Sequence, residues 1–279
     1  MTQFLDEIAT IASNYEAIVF DQWGVLHDGS APYAGSVDCL ENLANRSVRM
    51  AVLSNSGKRS APNAARIANM GFAPSLFEFV MTSGEALWQD IANAKITESR
   101  FFPIESVAGD AATWADGLDI EIETSVETAQ AILLMGLPDS DSADQWQGIL
   151  DQANAAALPV YCSNPDLKSP RANSQLVTSA GALAHQYRKR GGKVIFYGKP
   201  HRRIFDELKA KINADRLLMV GDSLEHDIAG GQAAGWDTLL IQGGLYAAEF
   251  SHGSHDVVLA RLVTEKSCKT PTYFIEQLK

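Results

Sequence analysis

Ala17-Ile18-Val19-Phe20-Asp21-Gln22-Trp23-Gly24-Val25-Leu26 carries four apolar residues into a carboxylate and then breaks at once into a glycine turn. The pattern predicts a buried strand with Asp21 at its carboxyl tip. A strand-tip aspartate serves as a nucleophile, as a metal ligand or as both, and its plainer reading is a turn residue. Trp23, two residues on, complicates the catalytic reading.

The same punctuation recurs along the chain. Met50-Ala51-Val52-Leu53 stops at Ser54-Asn55-Ser56-Gly57, Phe79-Val80-Met81 at Thr82-Ser83-Gly84, and Val194-Ile195-Phe196-Tyr197 at Gly198-Lys199-Pro200. Leu217-Leu218-Met219-Val220 runs into Gly221-Asp222-Ser223, and Thr238-Leu239-Leu240-Ile241 into Gln242-Gly243-Gly244. Helical spacing lies between them, at Val37, Leu40, Leu43 and Ala44 and again from Ala61 to Met70, where Gly71 is a favoured C-terminal glycine. Phe4, Leu5, Ile8 and Ile11 predict one more helix ahead of the first strand. Strands alternating with helices predict an α/β fold with a mostly parallel sheet covered on both faces, where ligands sit beyond the carboxyl ends of the strands. The middle of the chain repeats the alternation. Val107-Ala108, Ala131 to Met135 and Pro159 to Cys162 read as strands, with helices from about Ala143 to Ala156 and Ser179 to Arg190. Two domains are expected: a discontinuous one over 1–84 plus 190–279, and an insert over 85–189.

Composition bounds the partners. The 279 residues are 46% hydrophobic and 20% charged, enough for one large core or two smaller ones. With 23 Lys and Arg against 34 Asp and Glu the formal charge is −11, which disfavours nucleic acid and anionic membrane as partners. An anionic substrate then needs a metal or a few converging cations. The first sixteen residues hold Asp6, Glu7 and Glu16 with no basic region or long apolar run, so no signal peptide is expected. No segment is long and apolar enough to span a bilayer. Cys39, Cys162 and Cys268 stand far apart without metal-ligand spacing, which suits a reducing cytoplasm.

Taken together, the strand-end residues read as a phosphoryl-transfer site. Asp21 and Asp222 are hard oxygen ligands of the kind Mg²⁺ prefers. Lys199 places a compact positive charge against nucleophile and transferring group, and Ser54 with the turn amides supplies hydrogen-bond donors. Asp227, five residues beyond Asp222, either orients the metal site from behind or simply favours a helix N-terminus.

At this point the sequence resembles a family. Phe20 to Leu26, Leu53-Ser54-Asn55-Ser56, Tyr197-Gly198-Lys199-Pro200 and Val220-Gly221-Asp222-Ser223-Leu224-Glu225-His226-Asp227-Ile228 are similar to the four motifs of the haloacid dehalogenase (HAD) superfamily. The resemblance is to its class IIA, NagD-like phosphatases, which include 4-nitrophenylphosphatase-type and pyridoxal phosphatase enzymes. It spans nearly the whole chain, and Val220 to Gly244 is its most specific piece. It implies a Rossmann-like parallel-sheet HAD core with an inserted α/β cap domain. The implied activity is Mg²⁺-dependent hydrolysis of a small phosphorylated metabolite, of the sugar-phosphatase or 4-nitrophenylphosphatase type, through an aspartyl phosphate on Asp21. On this resemblance Asp21, the Trp23 carbonyl and Asp222 hold Mg²⁺, Ser54 binds the phosphoryl group and Lys199 neutralises charge. Asn55, Ser56 and, from the cap segment Cys162-Ser163-Asn164-Pro165-Asp166, Asn164 and Asp166 bind substrate. Members of the family also form homodimers through the cap.

Trp23 departs from the pattern. Most HAD phosphatases carry an aspartate there, which protonates the leaving alcohol and then activates water. Indole Nε1–H donates a hydrogen bond but exchanges no proton near neutral pH, and general acid-base catalysis is worth about 10² to 10⁴-fold. Three readings follow: His27 or Asp28, just beyond the turn, takes the role; the chemistry is of a non-phosphatase, dehalogenase-like kind; or the chain binds a phosphorylated metabolite without turnover.

Overall fold

The computed structural model describes residues 2–138, 143–170 and 176–279, which divide into two compact units. The first comprises Met1–Ser54, Ala61–Met81 and Lys199–Lys279, and the second Asn55–Ser60 and Thr82–Gly198.

Seven strands form the sheet of the first unit: β1 (Gln3–Phe4), β2 (Ala17–Phe20), β3 (Met50–Ser54), β4 (Phe79–Thr82), β12 (Leu217–Gly221), β13 (Asp237–Ile241) and β14 (Tyr273–Ile275). Their order is β1-β14-β13-β12-β2-β3-β4, with parallel pairing from β1 through to β3. The central strands are apolar at every position because helices cover both faces. Ile18, Phe20, Val52, Leu218 and Val220 pack on one side with Leu40 and Leu43 of the helix Ser36–Asn45. On the other side Met219 lies against Gly231 of the helix Ala229–Ala233, where a Cβ would come within 3.0 Å of the Met219 Cβ.

The second unit has its own parallel sheet, built from β5 (Arg100–Ile104), β6 (Glu121–Ile122), β7 (Ala131–Leu134), β8 (Val160–Cys162) and β11 (Val194–Phe196) in the order β11-β8-β7-β5-β6. Ile132, Leu134, Val160 and Cys162 pack on Leu183 and Tyr187 of the helix Ala180–Lys189 and on Leu150 of the helix Gln147–Ala155. An antiparallel pair, β9 (Lys168–Pro170) and β10 (Leu176–Thr178), completes the unit's described strands.

Three local expectations give way. Val194–Phe196, assigned by sequence to the terminal domain, pairs with β8 in the second sheet. Val107-Ala108 is a turn, and the strand of that region is β5. The apolar spacing before β2 yields β1 and two 3₁₀ turns, Ile8–Thr10 and Ala12–Asn14, because an Ile8 to Ile11 step of three suits the 3₁₀ period as well as the α-helical one. No helix among the described residues is long and apolar enough to cross a membrane.

Candidate active site

From β2 the chain moves outward to β3 and β4, whereas from β12, the other neighbour of β2, it moves outward to β13 and β14. The winding direction therefore reverses between β2 and β12, and the crevice beyond such a reversal is where open α/β sheets bind ligands. Asp21 and Asp222 are the first residues past these two strands. Phe20 and Val220 are register partners, and the Asp21 N–H donates to the Val220 carbonyl at 2.9 Å, so both carboxylates enter the crevice side by side. Ser54 ends β3 on the other flank of β2.

The turn after Asp21 is wound on one carbonyl. Gln22 O accepts from the N–H groups of Val25, Leu26 and His27 at 3.3, 2.8 and 3.2 Å, and the buried Gln22 amide donates to Asn63 Oδ1. Gly24 has φ +80°, and a Cβ there would fall 1.7 Å from Asp222 Oδ2. Only glycine permits that backbone and leaves room for the carboxylate.

Lys199 stands at the centre. Its ammonium is 2.6 Å from Asp21 Oδ1 and 2.7 Å from Asp227 Oδ1, and its side chain is only 2% exposed. Asp227 reaches back from the helical turn Leu224–Ile228, where its Oδ2 accepts the Ser223 N–H at 3.1 Å. Gly221 is bare because the Asp227 carboxyl fills the place of its Cβ. Burial pushes the Asp21 carboxyl up to about 7 against the pull of Lys199, with the charge of Asp227 adding to the rise. Burial, then the neighbouring charges of Asp21 and Asp227, hold Asp222 well above the usual carboxylate range. Burial opposes the Lys199 charge, but Asp21 and Asp227 overcome it and keep the ammonium protonated.

Asp21, Asp222 and Asp227 each offer an oxygen, all within 4.8 Å of one another. Three buried or half-buried carboxylates against a single lysine leave negative charge to compensate. Hard oxygen donors around a glycine-cleared space fit a divalent cation such as Mg²⁺.

The remaining expected residues fall into other settings. In the second unit, Asn55 Nδ2 donates to Asp166 Oδ1 at 2.7 Å and Asn164 Oδ1 accepts the Asp166 N–H at 3.1 Å, so these three form one polar set. Ser56 Oγ accepts the Lys58 N–H at 3.3 Å, and the Ser56 carbonyl accepts the Gly84 N–H. His27 is fully buried, with Nδ1 accepting the Gly29 N–H at 3.0 Å and Nε2 standing 3.4 Å from Arg66 Nη2. Burial and the Arg66 charge push its pKa down to about 4. Asp28 is exposed, and N–H donors from Ala31 and Ser30 with the Ser30 hydroxyl hold it down to about 2. The Trp23 indole stands edge-on to His27, ring centroids 6.1 Å apart, and so close to Gly29 that a Cβ there would come within 1.9 Å of Cζ3.

Two contacts near Asp222 escaped the sequence reading. The Leu245 N–H donates to Asp222 Oδ2 at 2.8 Å, and the Tyr246 hydroxyl donates to Glu225 Oε2 at 2.6 Å. The glycine pair Gly243-Gly244 was the available signal, since a Cβ on Gly244 would fall 2.4 Å from Asp222 Cβ.

Known proteins share this architecture and sequence. Residues 18–108 match the haloacid dehalogenase-like hydrolase family, and residues 196–265 match the HAD-hydrolase-like family. Human chronophin is 25% identical over 94% of this chain and 90% of its own length. The D-glycerol 3-phosphate phosphatase of Mycobacterium tuberculosis (strain ATCC 25618 / H37Rv) is 25% identical over 97% of this chain and 72% of its own length. A crystal structure of a haloacid dehalogenase-like family hydrolase from Brucella suis 1330 has a TM-score of 0.82 at 25% identity, covering 99% of this chain and 100% of that one. The matches fall at both ends of the chain and take in the strands that carry Asp21 and Asp222, so the chain is similar there to haloacid dehalogenase-like hydrolases.

Proposed function

We propose that this chain is a Mg²⁺-dependent phosphatase of small phosphomonoesters that works through an aspartyl phosphate on Asp21. The observation that carries the reading is the Lys199 ammonium, buried between Asp21 and Asp227 beside Asp222 at the reversal of the sheet. Asp21 keeps 15% of its side chain exposed, enough to touch a ligand while remaining in contact with a fixed cation. The likeness to a D-glycerol 3-phosphate phosphatase supports a phosphate ester as substrate.

Asp21, the Trp23 carbonyl and Asp222 would hold Mg²⁺, which when bound offsets charge on the phosphoryl oxygens. Lys199 opposes the rise that burial imposes on the Asp21 carboxyl and stabilises the charge that builds on the transferring group. A carboxylate oxygen of Asp21 attacks phosphorus while the bond to the leaving oxygen breaks, and the leaving group takes the electron pair. Ser54 and the turn amides donate hydrogen bonds to the phosphoryl oxygens. Water then attacks the phosphorus of the aspartyl phosphate, which frees phosphate and restores Asp21. Asn55, Ser56, Asn164 and Asp166 are the substrate-binding candidates of the second unit.

Neither proton transfer has a dedicated group in the turn. Trp23 holds its N–H too tightly, His27 is neutral with its Nδ1 occupied, and Asp28 is a weak base committed to its own loop. Esters whose leaving groups depart as stable anions, such as acyl and aryl phosphates, are therefore favoured. The test is turnover of acetyl phosphate and 4-nitrophenyl phosphate with Mg²⁺ or EDTA. Metal-dependent turnover that disappears in Asp21→Asn is expected; binding without turnover across a broad phosphomonoester panel would overturn the proposal.

A further inference from the structure

A carboxylate binds metal well only when its surroundings fix its position, and partners of such ligands typically control affinity by 10- to 100-fold. Asp222 lies past the end of β12 and is held by the loop Gln242–Tyr246, which follows β13. The Leu245 N–H donates to its Oδ2 at 2.8 Å. Gly244 presses so close that a Cβ would fall 2.4 Å from Asp222 Cβ and 2.6 Å from the Gly24 carbonyl, so this loop braces both the ligand and the turn after Asp21.

The loop has its own anchor. The Tyr246 ring packs with Leu224, Ile228 and Phe250, and its hydroxyl donates to Glu225 Oε2 at 2.6 Å. The other oxygen of Glu225 accepts from Lys266 Nζ at 2.5 Å, just past the helix His255–Glu265. Glu225 stands three residues after Asp222, so one carboxylate ties the loop after β12, the loop after β13 and the C-terminal helix together. A hydroxyl buried at this depth loses its water, which makes its bond to the Glu225 carboxylate consequential.

We propose that Tyr246 is a positioning residue for the metal ligand Asp222: through its bond to Glu225 it fixes the loop whose backbone N–H holds the Asp222 carboxylate. The inference rests on the reading of Asp222 as a metal ligand. Removing the hydroxyl keeps the apolar packing but frees the loop, so metal affinity falls while the chemical step at saturating metal is nearly unchanged.

The test is titration of the full-length chain with Mn²⁺ alone, followed by electron paramagnetic resonance, alongside the Mg²⁺ dependence of turnover. Tyr246→Phe and Glu225→Ala are each expected to raise the Mn²⁺ Kd by about tenfold and to shift half-maximal Mg²⁺ activation equally, with kcat at saturation within about twofold. Glu225→Gln, which keeps an acceptor for the tyrosine, is expected to recover most of the affinity. The double variant is expected to be no worse than Glu225→Ala alone, because the tyrosine bond is already gone in that variant. Melting followed by circular dichroism separates unfolding from loosening, and the half-exposed Glu225 serves as the second probe if Tyr246→Phe folds poorly. Wild-type affinity in both single variants, or additive losses in the double, would overturn the inference while leaving the metal reading intact. Failure of the wild-type chain to bind Mn²⁺ removes both.

Discussion

Replacing Lys199 by Met tests what balances the acidic cluster. The substitution keeps the length of the aliphatic stem and deletes the charge that touches Asp21 at 2.6 Å and Asp227 at 2.7 Å. Removing one partner of a buried ion pair costs about 3–5 kcal/mol, because the remaining charge stays desolvated. The structure supplies an independent figure. Two carboxylate oxygens no more than 4.8 Å apart repel by at least about 3.5 kcal/mol at an effective dielectric constant near 20. Either route predicts a loss of about 3 kcal/mol or more at pH 7.5. The loss has a pH signature, since protonating Asp21, whose carboxyl is raised to about 7, removes the repulsion and narrows the gap between variant and wild type by pH 5.5. Adding Asp227→Asn to Lys199→Met deletes one surplus charge and restores at least half of the lost stability without restoring turnover. Urea unfolding in EDTA, followed by circular dichroism at both pH values, measures all three chains. A loss under about 1 kcal/mol at pH 7.5, or an equal loss at both pH values, would refute the charge-balance argument.

Asp21 titrates from 3.8 toward about 7 on folding, so the folded chain holds a proton that the unfolded chain releases. Its contribution to metal-free stability is therefore unimpaired below pH 4 and declines as pH rises to about 7, by at most ~4 kcal/mol. Asp21→Asn removes that decline, and the stability difference between variant and wild type in EDTA should grow from pH 5 to 8; a flat difference contradicts the assignment. Gly24→Ala places a methyl group on Asp222 in a left-handed backbone and is expected to lower metal affinity by at least about 10- to 100-fold, read by metal titration of the folded variant. For the reaction itself, log(kcat/KM) should fall steeply as the leaving-group pKa rises. Trp23→Asp should flatten that line by raising alkyl phosphate turnover up to about 10²-fold, and an unchanged slope would deny that a missing acid limits the rate.

Asp21, Ser54, Lys199 and Asp222 are legible in the sequence for a physical reason. Each follows an apolar run, glycine punctuation marks where the run ends, and a parallel sheet collects ligands at that end. Local pattern does not say which sheet a strand joins. Val194–Phe196 has the same apolar signature as β12, yet its hydrogen bonds go to β8, and only long-range pairing decides that. The loop Asn55–Ser60 is similar: it directly follows β3 but packs with the second unit, where Asn55 bonds to Asp166, 111 positions away. Tyr246 and Glu225 lie 21 residues apart and meet because β12 and β13 are neighbours. Trp23 is legible as a departure, but its packing on Gly29 and His27 depends on a turn that no periodicity encodes.

The pairing of β2 with β12 also bears on how the chain is made. Val19 is the register partner of Met219, so this contact closes a loop of 200 positions. Strand pairs of such separation carry a large closure entropy and form late. On a ribosome adding about 5–20 residues per second, Asp21 would wait about 10–40 seconds for Lys199, Asp222 and Asp227 to be synthesised. Until then the apolar edge of β2 has no β12 to cover it. Nascent chains stalled before residue 217 should accordingly be open to protease near β2, and chaperones would find their binding site there.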